Sequence, residues 1–133
     1  MPSIFEKLNL KQQREILVVN APSSFEVELL ALKDITVLRD PKKAKAICFA
    51  LAFAIKQAEV DALSRVFASK AEGDALIWFA YPKGTSKRYT CEFNRDTGWN
   101  AMRSAGFDTV RQVAIDEDWS ALRFRRLAYI KPS

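Results

Sequence analysis

Two stretches constrain this chain more than anything else in it: Ala46–Phe53 and Ala75–Tyr81 are apolar from end to end. Successive side chains of a strand point to opposite sides, so a strand with one face in water alternates apolar and polar residues. A strand without that alternation has to be covered on both faces. Both runs have strand length, and a parallel sheet with helices on either side is the architecture that covers them. Ile16-Leu17-Val18-Val19, bounded by Asn20-Ala21-Pro22, has the same character. The three runs are therefore expected to be adjacent central strands.

The remaining elements fit around them. Ser3 and Glu6 have capping-box spacing and open a short helical lead-in through Ile4, Phe5 and Leu8. Ser23 and Glu26 repeat that spacing after Pro22, with Phe25, Leu29 and Leu32 on one helix face. Ile35–Arg39 alternates and ends at Asp40-Pro41, as suits a short strand near a sheet edge. Ile55, Glu59, Leu63, Val66 and Phe67 predict a long helix to about Ala71, with Gly73 just past its end. Asp96 is placed to cap a helix carrying Trp99, Met102 and Ala105, closed by Gly106, and Val110, Val113 and Ile115 mark a further strand. Asp116-Glu117-Asp118-Trp119-Ser120 then turns into Ala121–Ile130, whose alternation slips at Arg126 in the manner of a bulge. The link before that last strand is short, which favours an antiparallel partner. The reading is one domain over residues 1–133 of the α/β class. Its sheet is Rossmann-like, mostly parallel and six-stranded, in the order 2-1-3-4-6-5, with helices on both faces and an antiparallel C-terminal hairpin.

With 49% apolar and 28% charged residues, the chain has neither the polarity of a disordered segment nor an apolar run of membrane length. Two cysteines, Cys48 and Cys91, form no disulfide framework, and no continuous apolar stretch begins the sequence, so a cytoplasmic location is expected. The net charge of +5 comes from short scattered clusters such as Lys42, Lys43 and Lys45. That distribution favours a solvated surface over a nucleic-acid partner. A small molecule or a protein of unspecified chemistry is the expected partner.

The absence of histidine removes imidazole bases, Ser-His pairs and histidine metal sites, and no metal site is expected. Ligands of open α/β sheets bind outside the carboxyl ends of the strands. The ligand-binding candidates are accordingly Asn20 and Ser23 after the first strand, Asp40 after the second, and Tyr81, Lys83 and Ser86 around the end of the fourth. Asp116 and Trp119, in the acidic turn, complete the set. Lys83-Gly84-Thr85-Ser86-Lys87 could cradle phosphate but lacks P-loop order, and a basic surface loop is the simpler reading. The three carboxylates of the turn read as solvated, Cys91 as an ordinary thiol, and Trp119 as a residue that locks the corner or floors a pocket. No residue is assigned a catalytic role.

Three segments, Val19-Asn20-Ala21-Pro22, Leu76–Lys83 and above all Val113–Arg123, resemble an uncharacterised bacterial family of short Rossmann-like proteins that look like truncated methyltransferases. The resemblance implies the fold and carries over no catalytic residue. Methyltransferases and dinucleotide binders place glycines after the first strand so that backbone can approach the cofactor, whereas Asn20-Ala21-Pro22-Ser23-Ser24 has none. Asp40 stands where a ribose-binding carboxylate belongs, and a helix-strand unit is missing between Asp40 and Ala46. The preferred expectation is a non-catalytic binding or interaction domain on a degenerate methyltransferase-like scaffold. The alternative is a small nucleotide- or S-adenosylmethionine-binding transferase with an atypical cofactor turn.

Overall fold

The computed structural model describes residues 4–10, 13–87, 89–93 and 97–130. The three apolar runs form the middle of a six-stranded sheet: β1 (Glu15–Val19), β3 (Ile47–Phe53) and β4 (Ala71–Pro82) lie side by side and parallel. The edge strand β2 (Thr36–Leu38) pairs parallel with β1 on its other side. β6 (Trp119–Arg126) runs antiparallel to β4 and forms a hairpin with β5 (Phe107–Ala114), giving the order β2-β1-β3-β4-β6-β5. The hairpin reverses twice, so β5 points the same way as β1 to β4.

Helices cover both faces, as the unbroken apolar strands require. On one face α3 (Gln57–Lys70) and α4 (Asn100–Ser104) bury Val60, Phe67, Trp99 and Met102 against Ile77, Phe79 and Phe124. On the other, α1 (Ile4–Lys7) and α2 (Ser23–Leu30) bury Phe5, Leu8, Phe25 and Leu29 against Phe49, Phe53 and Trp78. The Trp78 indole donates to the Leu8 carbonyl at 3.0 Å, tying the N-terminal helix to the central strand. Between β2 and β3 the chain makes a 3-10 turn, Pro41–Lys43.

Several local expectations are corrected. Ser23 is the first helical residue of α2, whose cap position is Pro22, so no Ser23–Glu26 capping box forms; Glu26 pairs with Arg39 instead. Gly73 does not close α3. The helix passes directly into β4, and Gly73, at φ +54°, lies where one residue of β3, Cys48, stands opposite four of β4, an irregularity in which a left-handed residue is accommodated. The phase slip at Arg126 is the end of β6, followed by a 3-10 turn, Leu127–Tyr129. The bulge of the hairpin sits on β5 instead, between Thr109 and Arg111. Cys48, inside an apolar run, is exposed near the start of β3. The predicted caps Ser3 and Asp96 lie outside the described residues. Among the described residues no helix is long and apolar enough to cross a membrane.

Candidate functional site

The site begins with a turn made without glycine. After β1 the chain reverses at Asn20, at φ +58°, before α2 starts at Ser23. Asparagine is one of the few non-glycine residues that tolerate this left-handed region, because its short amide can bond locally. The adjacent parallel strand ends beside it: Ala54 N donates to the Ala80 carbonyl at 2.9 Å, and the chain then enters α3.

Glu59, in the first turn of α3, folds back over this junction. Its Oε1 accepts the backbone N–H groups of Ile55 (3.1 Å) and Lys56 (3.0 Å), while Oε2 accepts the Asn20 amide at 3.4 Å. One carboxylate thus satisfies exposed helix-start donors and links the two strand ends.

The third wall comes from the hairpin. Asp116 Oδ1 accepts the N–H groups of Asp118 (2.8 Å) and Trp119 (2.9 Å), an Asx turn that sets the start of β6. Trp119 is thereby laid edge-on against Phe53, ring centroids 5.1 Å apart, and Tyr89 covers it at 4.8 Å. Tyr89 is held in turn by Ser86, whose Oγ accepts its backbone N–H at 3.3 Å and donates to Asp118 Oδ1 at 2.9 Å.

Between these walls is a pocket of about 280 Å³ lined by Asn20, Pro22, Ser23, Phe53, Ala54, Ile55, Glu59, Tyr89 and Trp119. It opens at the carboxyl ends of β1 and β3. Trp119 is 4% exposed, and its Nε1 is buried without a hydrogen-bond partner among the described residues. A buried donor left unpaired costs about 1–3 kcal/mol, so this corner is polar in need although its walls are apolar. A larger hollow of about 520 Å³ lies among the strand starts at Gln13, Arg14, Glu15, Ala46 and Cys48. Of the two, the carboxyl-edge pocket is the better candidate: its walls include the buried rings of Phe53 and Trp119, whereas Arg14, Glu15 and Cys48 are exposed.

The structure brings three of the eight sequence candidates, Asn20, Ser23 and Trp119, to this pocket. Lys83, Ser86 and Asp116 build the adjoining corner: Lys83 N donates to the Asp118 carbonyl at 2.8 Å, and Ser86 and Asp116 position Tyr89 and Trp119 as described. Asp40 is exposed and caps its own 3-10 turn, accepting Lys42 N at 2.9 Å, and it does not line the pocket. Tyr81 lies on the opposite sheet face, packed on Phe93 and Trp99, with its hydroxyl accepting from Gln112 Nε2 at 2.9 Å. Glu59 and Tyr89 are pocket residues that the sequence reading missed. The spacing of Lys56 and Glu59 is the only trace of the first, and nothing in the sequence around Tyr89 marks the second.

Elsewhere, burial pushes the Cys91 thiol above its ordinary value, which disfavours the nucleophilic thiolate. Among the described residues no group of three or more Cys, Asp or Glu side chains could hold a metal ion.

No protein-family model and no curated protein sequence matches the chain. Solved structures do. A SAM-dependent methyltransferase from Aquifex aeolicus is 13% identical with a TM-score of 0.58, over 93% of this chain and 88% of that one. The N-methyltransferase NodS from Bradyrhizobium japonicum WM9 is 13% identical with a TM-score of 0.60, over 92% of each chain. The [4+2]-cyclase SpnF is 10% identical with a TM-score of 0.62, over 92% of this chain and 78% of that one. The fold is therefore methyltransferase-like, and the third of these neighbours is named for a different reaction. Fold alone does not select the chemistry.

Proposed function

We propose that this chain is a small-molecule-binding domain on a methyltransferase-like scaffold, which holds a ligand at the carboxyl edge of its sheet without transferring a group. The observation that carries this reading is the pocket between the β1 turn, the start of α3 and Trp119, with a buried indole N–H that lacks a partner among the described residues. The acidic side chain in that pocket supports binding over catalysis, because Glu59 Oε1 is already engaged by two backbone donors. At about 280 Å³ the pocket lies just under the range of about 300–1,000 Å³ usual for drug-sized ligands, which suits a compact molecule.

A second reading, a transferase that binds S-adenosylmethionine or a nucleotide, is favoured by one observation. Asn20 supplies the left-handed turn that glycine supplies in cofactor-binding relatives. Against it, Asp40 is turned onto its own backbone, away from the pocket. Calorimetry with S-adenosylmethionine and with ATP distinguishes the two. The binding-domain reading expects no micromolar affinity for either. Micromolar affinity abolished by Asp40→Ala would establish the second reading in its place.

A further inference from the structure

We propose that the pocket takes a compact organic cation, a methylated ammonium group with a nearby oxygen, seated against Phe53, Tyr89 and Trp119 with Glu59 as its counter-charge. This rests on the reading of the pocket as a binding site and adds the chemistry of its occupant.

The charge of the lining is the first ground. The chain carries five more basic than acidic residues, yet among the described residues that line this pocket there is one formal charge, and it is negative. Hydrogen bonds fix that charge in place: Oε1 is held by Ile55 and Lys56 backbone, and Oε2 meets the Asn20 amide at a long 3.4 Å. Oε2 thus retains acceptor capacity and Coulombic pull toward a cation.

The rings are the second ground. Phe53, Trp119 and Tyr89 form a continuous aromatic wall, with centroid separations of 5.1 and 4.8 Å. Aromatic faces carry negative quadrupole density and attract cations, and methylated ammonium groups are favoured because they lose little hydration on entering such a wall. A bare ammonium would have to give up strong hydrogen bonds to water with one carboxylate oxygen as replacement, so methylation matters to the fit.

The third ground is the buried Trp119 Nε1 without a partner among the described residues. A purely apolar or purely cationic ligand leaves that donor unsatisfied. A hydroxyl or carboxylate oxygen beside the cationic centre satisfies it, and a molecule with both features remains small enough for about 280 Å³.

The test compares choline with 3,3-dimethylbutan-1-ol, which has the same shape with carbon in place of the charged nitrogen, and with adenosine. The readout is the indole N–H resonance of Trp119 in ¹H–¹⁵N spectra, assigned through Trp119→Phe. Choline is expected to shift that resonance saturably, with the neutral isostere at least about tenfold weaker. Glu59→Gln retains an oxygen to accept the helix N–H groups, so the fold persists. It should weaken choline by about three- to tenfold while leaving the neutral isostere unchanged. Tyr89→Leu, at a half-buried position, should weaken choline similarly. If the isostere or adenosine binds as tightly as choline, the cation assignment is overturned while the binding site stands. If none of the three moves the Trp119 resonance, the binding site itself is refuted.

Discussion

Trp119 and Trp78 provide a matched pair for measuring what an unpartnered buried indole costs. Both are buried on the same face of the sheet, and they differ in one respect: Trp78 Nε1 donates to the Leu8 carbonyl at 3.0 Å, whereas Trp119 Nε1 donates to nothing among the described residues. Replacing either by phenylalanine shrinks the ring and loses apolar contact, about 1–2 kcal/mol in each case. At Trp78 the change also removes a hydrogen bond and leaves a buried carbonyl without its donor, a further 1–3 kcal/mol or so, for a total near 3 kcal/mol. At Trp119 the change removes a donor that was costing about 1–3 kcal/mol, so the two terms offset and the net falls within about 1 kcal/mol of zero. Urea denaturation followed by circular dichroism, which does not depend on the lost fluorophores, reads both as shifts in midpoint at constant slope. The expected separation is at least about 2 kcal/mol. Equal losses in the two variants would refute the reasoning and show that Trp119 Nε1 is satisfied in solution.

Four further outcomes follow from local geometry. Gly98 sits at φ +93°, and a Cβ there would lie 2.5 Å from Phe93 Cβ and 2.7 Å from Gln57 Oε1, so Gly98→Ala should cost roughly 2–4 kcal/mol. Gly84→Ala, with open space around it, should stay within about 0.5 kcal/mol of the parent by the same denaturation measurement. With Ellman's reagent at neutral pH the exposed Cys48 should react quickly and the partly buried Cys91 slowly, Cys91 accelerating only in alkali because burial raises its thiol; a fast phase that disappears in Cys91→Ser would contradict this. Asp74 receives two hydrogen bonds from Arg125, which hold its carboxyl below the usual range. Its contribution is therefore complete at neutral pH and lost as acid protonates it below about pH 4. Asp74→Asn should melt earlier at pH 7, by about 1 kcal/mol or less for so exposed a pair, and the difference from the parent should narrow progressively as the pH falls below about 4.

The sheet order was legible because the apolar runs are covered on both faces and so have to be central, leaving the alternating Ile35–Arg39 and the polar hairpin to the edges. The location of the pocket followed from the same argument, since parallel strands end together. Its composition was harder to read. Strand parity shows that Tyr81 and Ala80 face opposite ways, but not which face carries which helix, and Tyr81 lies on the α3 side. Glu59 reads in sequence as a member of a helix pattern, and lysine three residues before it is not a capping residue by type. Its bonds to the Ile55 and Lys56 backbone are local, but the bond to Asn20 exists only because two strand ends meet there. Gly73 and the β5 bulge were misread for a related reason. Each depends on how many residues the neighbouring strand supplies, a quantity that no local pattern records.

The two borders of the sheet carry a consequence of their own. An unpaired strand edge is a template on which another chain can add, and long flat edges invite uncontrolled association. Here one border is a strand of three residues, Thr36–Leu38, and the other is kinked by the bulge before Arg111, whose side chain is exposed. A shortened sheet of this kind could have left a full-length parallel strand open at its margin. Instead, each margin offers an approaching strand too few consecutive backbone groups to zip onto. Self-association by strand addition is therefore disfavoured at both ends.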